Sequence, residues 1–212
     1  MISLSDVFGA EQVMVILRGL PPTETVAAAH MAWDAGVELV EVPIGGTGDV
    51  ASLAAAVRAG AERGKTVGAG TVITREQVAA AARAGATYTV APGYDPEIAA
   101  ASMDAGMPHL PGAATPSEVQ RAYVAGLRWV KLYPAATLGP AWIRAIRGPF
   151  PDVHLVVTGG ITPQDAEAYY QAGARILAFG AALIDPAQRG AFLQLVAKRR
   201  SSPRGVMAAP PN

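Results

Sequence analysis

Lys131 lies in the middle of an apolar run, residues 128–133 (RWVKLY), and the chain of 212 residues contains only two other lysines. If this run is a strand, Lys131 and Tyr133 share one face, while Val130 and Leu132 occupy the other. Burial disfavours the ammonium form of lysine, and a neutral amine can attack a carbonyl carbon to give a Schiff base. A structural lysine paired with a carboxylate is the other interpretation of such a position.

Glu41 lies between two valines in a second apolar run, residues 37–42 (VELVEV). A carboxyl group in an apolar pocket holds its proton more readily than one in water, so it can shuttle protons. Schiff-base chemistry needs such a group, because the carbinolamine must lose water and the neighbouring carbon must lose or regain a proton. Glu41 could also be the ion-pair partner of Lys131 or Arg18, and the two interpretations are compatible.

Other residues suit the binding of an anion. Arg18 ends the run ILRG, and a guanidinium directed inward there would hold a carboxylate or phosphate through two hydrogen bonds. An exposed arginine on the rim is the alternative. Gly159 and Gly160 precede a predicted helix start, and Gly180 ends a later apolar run. Glycine lets backbone N–H groups approach an anion at a helix N-terminus, although any tight turn also uses glycine.

Composition excludes several other kinds of site. The chain has no cysteine, which excludes disulfides and thiolate chemistry, and it has no HExxH or calcium-loop motif. With 17 basic and 17 acidic residues, it has no bulk attraction to nucleic acid or to an anionic membrane. No secretory signal is apparent, and no apolar run approaches the ~18 residues of a membrane span. We therefore expect a cytoplasmic protein that acts on small molecules without a metal or cofactor.

The rest of the sequence provides the elements that must hold these residues. Apolar runs alternate with helical patterns, many of which end in Ala-Gly, where glycine can end a helix. The eight runs are 13–17, 37–42, 66–70, 87–91, 108–111, 128–133, 153–158 and 175–179. This alternation predicts a parallel sheet, and eight units predict an α/β protein with a (β/α)₈ TIM barrel. An open doubly wound sheet is the alternative, but no GxGxxG follows the first run.

We expect a single barrel domain over residues 1–200. A short N-terminal helix, capped by Ser3 or Ser5, should close the bottom of the barrel. Residues 201–212 (SSPRGVMAAPPN) are predicted to be a disordered tail. Chemistry in a TIM barrel takes place at the carboxyl ends of the strands. Those ends provide Arg18, Glu41, Thr71, Pro92, Pro111, Lys131, Thr158 and Gly180.

An ordered set of motifs between about residues 12 and 186 carries a family resemblance: ILRG, VEVPI, GAGTV, APG, LPGAATPSE, VKLYPA, TGGITP and FG. The chain resembles the bacterial 2-keto-3-deoxy-6-phosphogluconate (KDPG) and 2-keto-3-deoxy-6-phosphogalactonate (KDPGal) aldolases. The resemblance implies a homotrimeric barrel that cleaves a 2-keto-3-deoxy sugar acid 6-phosphate to pyruvate and glyceraldehyde 3-phosphate. It also implies that Lys131 is the Schiff-base lysine and that Glu41 shuttles protons through a water molecule.

The same resemblance assigns the binding residues. Thr71 and an arginine would bind the pyruvyl carboxylate, and Pro92 would shape the pyruvate pocket. The loops at Gly159, Gly160 and Gly180 would hold the phosphate group. The residues beside them, Thr158 and Ala181, are further candidates for substrate binding.

The chain also departs from the family pattern. KDPG aldolases typically carry an arginine shortly after the strand-two glutamate, but residues 43–47 (PIGGT) contain none. Arg18 resembles the KDPGal pattern and could supply that contact instead. Thr158 resembles the KDPG pattern, because the KDPGal enzymes often have valine there. Ala181 replaces the usual serine, which removes a hydroxyl group from the expected phosphate site.

Three other functions remain open at this point. One is a pyruvate aldolase for smaller or unphosphorylated acceptors, with a substrate such as 4-hydroxy-2-oxoglutarate. Another is a phosphate-binding barrel epimerase or isomerase that uses Glu41 as its base. A barrel that binds a sugar acid without turnover is the third, and no residue favours it.

Overall fold

The predicted alternation of strands and helices is present in the computed structural model, which describes residues 2–46 and 48–201. The strands in this part of the chain are β1 (Val13–Ile16), β2 (Leu39–Pro43), β3 (Val67–Gly70), β4 (Thr89–Val90), β5 (His109–Leu110), β6 (Gly112–Ala113), β7 (Trp129–Leu132), β8 (His154–Thr158) and β9 (Ile176–Phe179). The helices are α1 (Leu4–Phe8), α2 (Pro22–Ala35), α3 (Asp49–Ala61), α4 (Arg75–Ala84), α5 (Pro96–Asp104), α6 (Pro116–Val124), α7 (Ala135–Arg147), α8 (Ala166–Ala172) and α9 (Pro186–Ser201).

The strands form one parallel sheet in the order β5-β4-β3-β2-β1-β9-β8-β7-β6. Its two end strands, β5 and β6, are consecutive in the chain and are separated only by Pro111. Proline has no N–H to donate to the ladder, which explains the interruption. The Pro111 carbonyl still accepts a hydrogen bond from the Lys131 N–H at 2.8 Å. The two pieces therefore act as one fifth strand, and the predicted (β/α)₈ barrel is confirmed.

Side-chain caps fix where several helices begin. Thr74 and Thr115 form capping boxes at α4 and α6. Thr162 forms a third box with Asp165, but it opens a 3-10 turn, and α8 begins only at Ala166. The helix start predicted after Gly159 and Gly160 is therefore displaced by one turn. Gly160 is thus separated from α8 by that extra turn.

Aromatic side chains fill the amino-terminal half of the barrel. Phe8 of α1 packs edge-on against Tyr88 at 5.2 Å and Trp129 at 5.1 Å, measured between ring centroids. The indole N–H of Trp129 donates to the Ser5 hydroxyl at 3.0 Å, and Ser3 caps α1. The predicted N-terminal helix therefore closes the bottom of the barrel.

A buried hydrogen-bond chain links β4, α5 and β5 on the outer face of the barrel. Ser102 donates its hydroxyl proton to the Met107 carbonyl at 2.9 Å, so it must accept from the Thr89 hydroxyl at 2.6 Å. Thr89 in turn accepts from Nδ1 of His109 at 2.8 Å. This order assigns the imidazole proton to Nδ1. Nε2 of His109 is then a buried acceptor without a partner among the described residues.

We expect this histidine to make the protein acid-sensitive. Burial lowers the pKa of His109 from 6.5 to about 4, partly opposed by Asp95. Below pH 6.5 this histidine is therefore protonated in the unfolded chain but stays neutral in the folded chain. The free energy of unfolding falls as the pH drops from 6.5 towards 4. The loss should reach about 3 kcal/mol. Urea unfolding between pH 7 and pH 4 should show this loss, and His109→Gln should reduce it. Parallel pH profiles for the two proteins would contradict the assignment.

Of the predicted tail, residues 201–212, only Ser201 lies within the described residues, and it is the last residue of α9.

Among the helices of residues 2–46 and 48–201, none is long and apolar enough to cross a membrane.

Candidate active site

Lys131 and Glu41 approach each other inside the barrel from strands β7 and β2. Nζ of Lys131 lies 3.8 Å from Oε1 of Glu41, and their side chains are only 6% and 1% exposed. Val130 and Leu132 pack outward among the helices, as the alternation of the strand predicts. The two groups singled out by the sequence therefore form one buried pair of opposite charge.

The pair is not closed by a hydrogen bond. A separation of 3.8 Å is beyond hydrogen-bond length, and Oε1 of Glu41 has no hydrogen-bond partner among the described residues. A buried carboxylate oxygen without a partner is costly for stability. Such an arrangement suits a group that must exchange protons with a substrate held beside the amine.

Gly70 makes room for this carboxylate. A side chain on Gly70 would collide with the Glu41 carboxyl group, because the Cβ position falls on top of it. Gly68, two residues earlier on the same face of β3, leaves the same kind of space for the ring of Tyr88. The GAG motif of β3 therefore creates the volume in which Glu41 lies. Neither glycine was among the predicted site residues, although strand glycines can mark a close approach.

Arg18 and Thr71 meet at the mouth of the barrel. Nη2 of Arg18 donates to Oγ1 of Thr71 at 3.1 Å, and the arginine is otherwise exposed. Thr71 has a φ of 58°, a left-handed conformation that is unfavourable for a β-branched residue. Gly45 allows this placement, since a Cβ there would lie 3.0 Å from Cγ2 of Thr71. Arg18 thus occupies the rim, as in the second interpretation, yet it points its charge at Thr71.

Pro92 is exposed at the same end of the barrel. Its carbonyl packs so closely on Gly112 that any side chain there would collide with it. The N–H of Gly112 donates to the Gly93 carbonyl at 3.0 Å, and Gly112 is the register partner of Lys131. The turn that contains Pro92 is therefore fixed against the strand that neighbours the lysine.

The proposed anion-binding loops follow β8 and β9. Thr158 is buried and pairs with Ala178, while Gly160, Gly180 and Ala181 are exposed. The backbone N–H groups of Gly160, Gly180 and Ala181 donate to no acceptor within the described residues. Three free donors on adjacent loops can bind an anion without a charged side chain.

Tyr133 also lies at this site, although it was not among the predicted site residues. Nζ of Lys131 lies 5.7 Å from the centroid of its ring. The ring packs against Gly159, where a Cβ would come within 2.8 Å of Cδ2. Its position on the same strand face as Lys131 was the signal that could have found it.

Comparison with known proteins now places this geometry in a family. A family model described as KDPG and KHG aldolase matches residues 6–194. The chain belongs to this family. It is 35% identical to the 2-dehydro-3-deoxy-6-phosphogalactonate aldolase of Escherichia coli K12, over 76% of this chain and 78% of that protein. The KDPG and KHG aldolases are carbon–carbon lyases, so this chain is an aldolase.

Solved structures agree with this assignment. A structure titled "Native KDPGal structure" matches with a TM-score of 0.80 and 30% identity, over 89% of this chain and 95% of that one. A KDPG aldolase from Legionella pneumophila, with pyruvate captured as a covalent carbinolamine, matches with a TM-score of 0.78 and 25% identity, over 93% and 96% of the two chains. The expected KDPG/KDPGal aldolase resemblance is confirmed.

The acidic and histidine side chains are not clustered as metal ligands in the described part of the chain. Within residues 2–46 and 48–201, no group of three or more histidine, aspartate or glutamate side chains is placed to hold a metal ion. The carboxylate of Glu41 faces the Lys131 amine instead.

Proposed function

We propose that the chain is a class I aldolase in which Lys131 forms a Schiff base with C2 of a 2-keto-3-deoxy-6-phospho sugar acid. The observation that carries this proposal is the buried pair of Lys131 and Glu41. The covalent carbinolamine captured in the Legionella pneumophila relative supports the same chemistry.

The reaction begins when Glu41 takes the ammonium proton of Lys131 and the neutral amine attacks C2. A C–N bond forms, and Glu41 gives its proton to the carbonyl oxygen. Glu41 then carries a proton from the nitrogen to the new hydroxyl group, which leaves as water and gives an iminium ion. Glu41, now a carboxylate, accepts the proton of the C4 hydroxyl. The C3–C4 bond then breaks, its electron pair flows into the iminium group, and an aldehyde leaves.

The remaining enamine is bound to Lys131 through nitrogen. Glu41 returns its proton to C3, which restores an iminium ion with a methyl group. Water adds to this ion, the C–N bond breaks, and pyruvate and the free amine are released. Every proton in this scheme passes through one carboxyl group. Its position 3.8 Å from the amine supports this role.

The pyruvyl carboxylate would bind to Arg18 and Thr71. The hydrogen bond between their side chains places a positive charge and a hydroxyl group side by side at the barrel mouth. This pair would replace the arginine that the loop after β2 lacks. The turn at Pro92 would form the neighbouring wall of the pyruvate pocket.

The terminal phosphate would bind to the free N–H groups of Gly160, Gly180 and Ala181, with Gly159 completing the turn. Thr158 resembles the KDPG pattern and Arg18 the KDPGal pattern, so both gluconate and galactonate epimers belong in the assay. Ala181 provides no hydroxyl group to the phosphate. Cleavage of 4-hydroxy-2-oxoglutarate to pyruvate and glyoxylate is therefore the second candidate reaction. Assembly as a homotrimer and a cytoplasmic location remain predictions.

Borohydride trapping with pyruvate, followed by peptide mass spectrometry, tests the proposal. We expect a reduced pyruvyl adduct on Lys131 and a peptide without adduct around the exposed Lys198. The cleavage rates of 2-keto-3-deoxy-6-phosphogluconate, 2-keto-3-deoxy-6-phosphogalactonate and 4-hydroxy-2-oxoglutarate should then be compared by the release of pyruvate. Folded protein that forms no adduct at saturating pyruvate would refute the Schiff-base mechanism. An adduct together with preferred cleavage of 4-hydroxy-2-oxoglutarate would establish the second candidate reaction.

A further inference from the structure

Tyr133 lies between the two ends of the proposed substrate site. Its ring faces the Lys131 amine at 5.7 Å, where the Schiff base would form. The ring also packs on Gly159, at the start of the loop proposed to hold phosphate. A substrate bound at both ends must therefore pass beside this side chain.

The hydroxyl group of Tyr133 has no internal role. The tyrosines that pack into the barrel walls, Tyr88, Tyr169 and Tyr170, each donate to a backbone carbonyl at 2.7 to 3.0 Å. The Tyr133 hydroxyl makes no such hydrogen bond within the described residues, and the residue is 42% exposed. Its ring is held in place while its polar end is free. That combination suits a hydrogen bond to a bound molecule.

We propose that Tyr133 is a specificity-determining residue. Its hydroxyl group forms a hydrogen bond with a hydroxyl group of the acceptor aldehyde, the one on the carbon adjacent to the aldehyde carbon. This inference rests on the proposed function, because that function places the nascent aldehyde between Lys131 and Gly159. Acceptors that carry the hydroxyl are then favoured over acceptors of equal length that lack it. The ring itself, stacked near the amine, stabilises the positive charge of the iminium ion.

Two acceptors separate this contact from other effects. D-Glyceraldehyde 3-phosphate and 3-oxopropyl phosphate have the same length and charge, and they differ only in the hydroxyl beside the aldehyde. We expect wild-type protein to prefer the first, in kcat/KM for condensation with pyruvate. Tyr133→Phe keeps the ring and should reduce this preference by about 10-fold, the worth of one neutral hydrogen bond. Borohydride trapping with pyruvate alone should proceed as in wild type.

Tyr123→Phe is the matched control, since Tyr123 lies on helix α6, where its ring packs against Phe150. The control should retain the full preference for D-glyceraldehyde 3-phosphate. Tyr133→Leu should lose this preference and should also slow borohydride trapping with pyruvate. An unchanged acceptor preference in active Tyr133→Phe would overturn this inference alone. If wild-type protein traps no pyruvate and condenses neither acceptor, the proposed function itself fails.

Discussion

Lys131→Arg should abolish aldolase activity while the barrel remains folded. The guanidinium group keeps a positive charge beside Glu41, so the buried pair is preserved. Arginine cannot be deprotonated in a protein, however, and so it cannot attack a carbonyl carbon. Loss of a covalent nucleophile typically costs about 10⁴-fold or more in kcat. Pyruvate release from the preferred substrate should fall to the background of the assay, and no borohydride adduct should form.

A matched control is available on the outside of the barrel. Lys65 pairs with Glu38 at 2.6 Å, and Lys65→Arg makes the same chemical change away from the mouth. That variant should retain wild-type kinetics. Far-ultraviolet circular dichroism and the Tm of both variants would show that the fold is intact. Substantial turnover by folded Lys131→Arg would remove Lys131 from the covalent step.

The barrel was predictable because each element has its own local signal. Continuous apolar runs mark strands covered on both faces, and capping residues mark the helix starts. Both are short-range effects, so they can be identified in the sequence without knowledge of the contacts. The division of the fifth strand follows equally simply from Pro111. The 3-10 turn after Thr162 was missed because proline at a helix start is compatible with either kind of helix.

The site was predictable only in part. Lys131 and Glu41 could be singled out because charged groups are rare in apolar strands, and parallel strands present their ends together. The space that Gly70 leaves for Glu41 and the left-handed backbone of Thr71 depend on contacts between distant parts of the chain. No local pattern encodes such contacts. Tyr133 was visible by its spacing from Lys131, but its exposed position at the mouth required the three-dimensional structure.

Glu41→Gln should leave the lysine in place and remove its proton carrier. Glutamine has nearly the same shape, so the space beside Gly70 remains filled, but an amide cannot give up or accept a proton near neutral pH. Removal of a general acid–base group costs about 10² to 10⁴-fold in rate. Both the rate of borohydride trapping with pyruvate and kcat for cleavage should fall within that range. Glu38→Gln, which alters the external pair with Lys65, should change neither.

Proton exchange on pyruvate separates the role of Glu41 as a proton carrier from its role as a counter-charge. The Glu41→Gln change removes the negative charge and the proton carrier together, so the rate of trapping alone does not distinguish the two roles. Loss of the proton carrier slows the interconversion of iminium ion and enamine, which exchanges the pyruvate methyl protons with solvent. In D₂O, wild-type protein should therefore deuterate the methyl group, as followed by proton NMR, and Glu41→Gln should do so at least about 100-fold more slowly. Deuteration at the wild-type rate would show that another group moves the proton at C3, and Glu41 would then be only the ion-pair partner of Lys131.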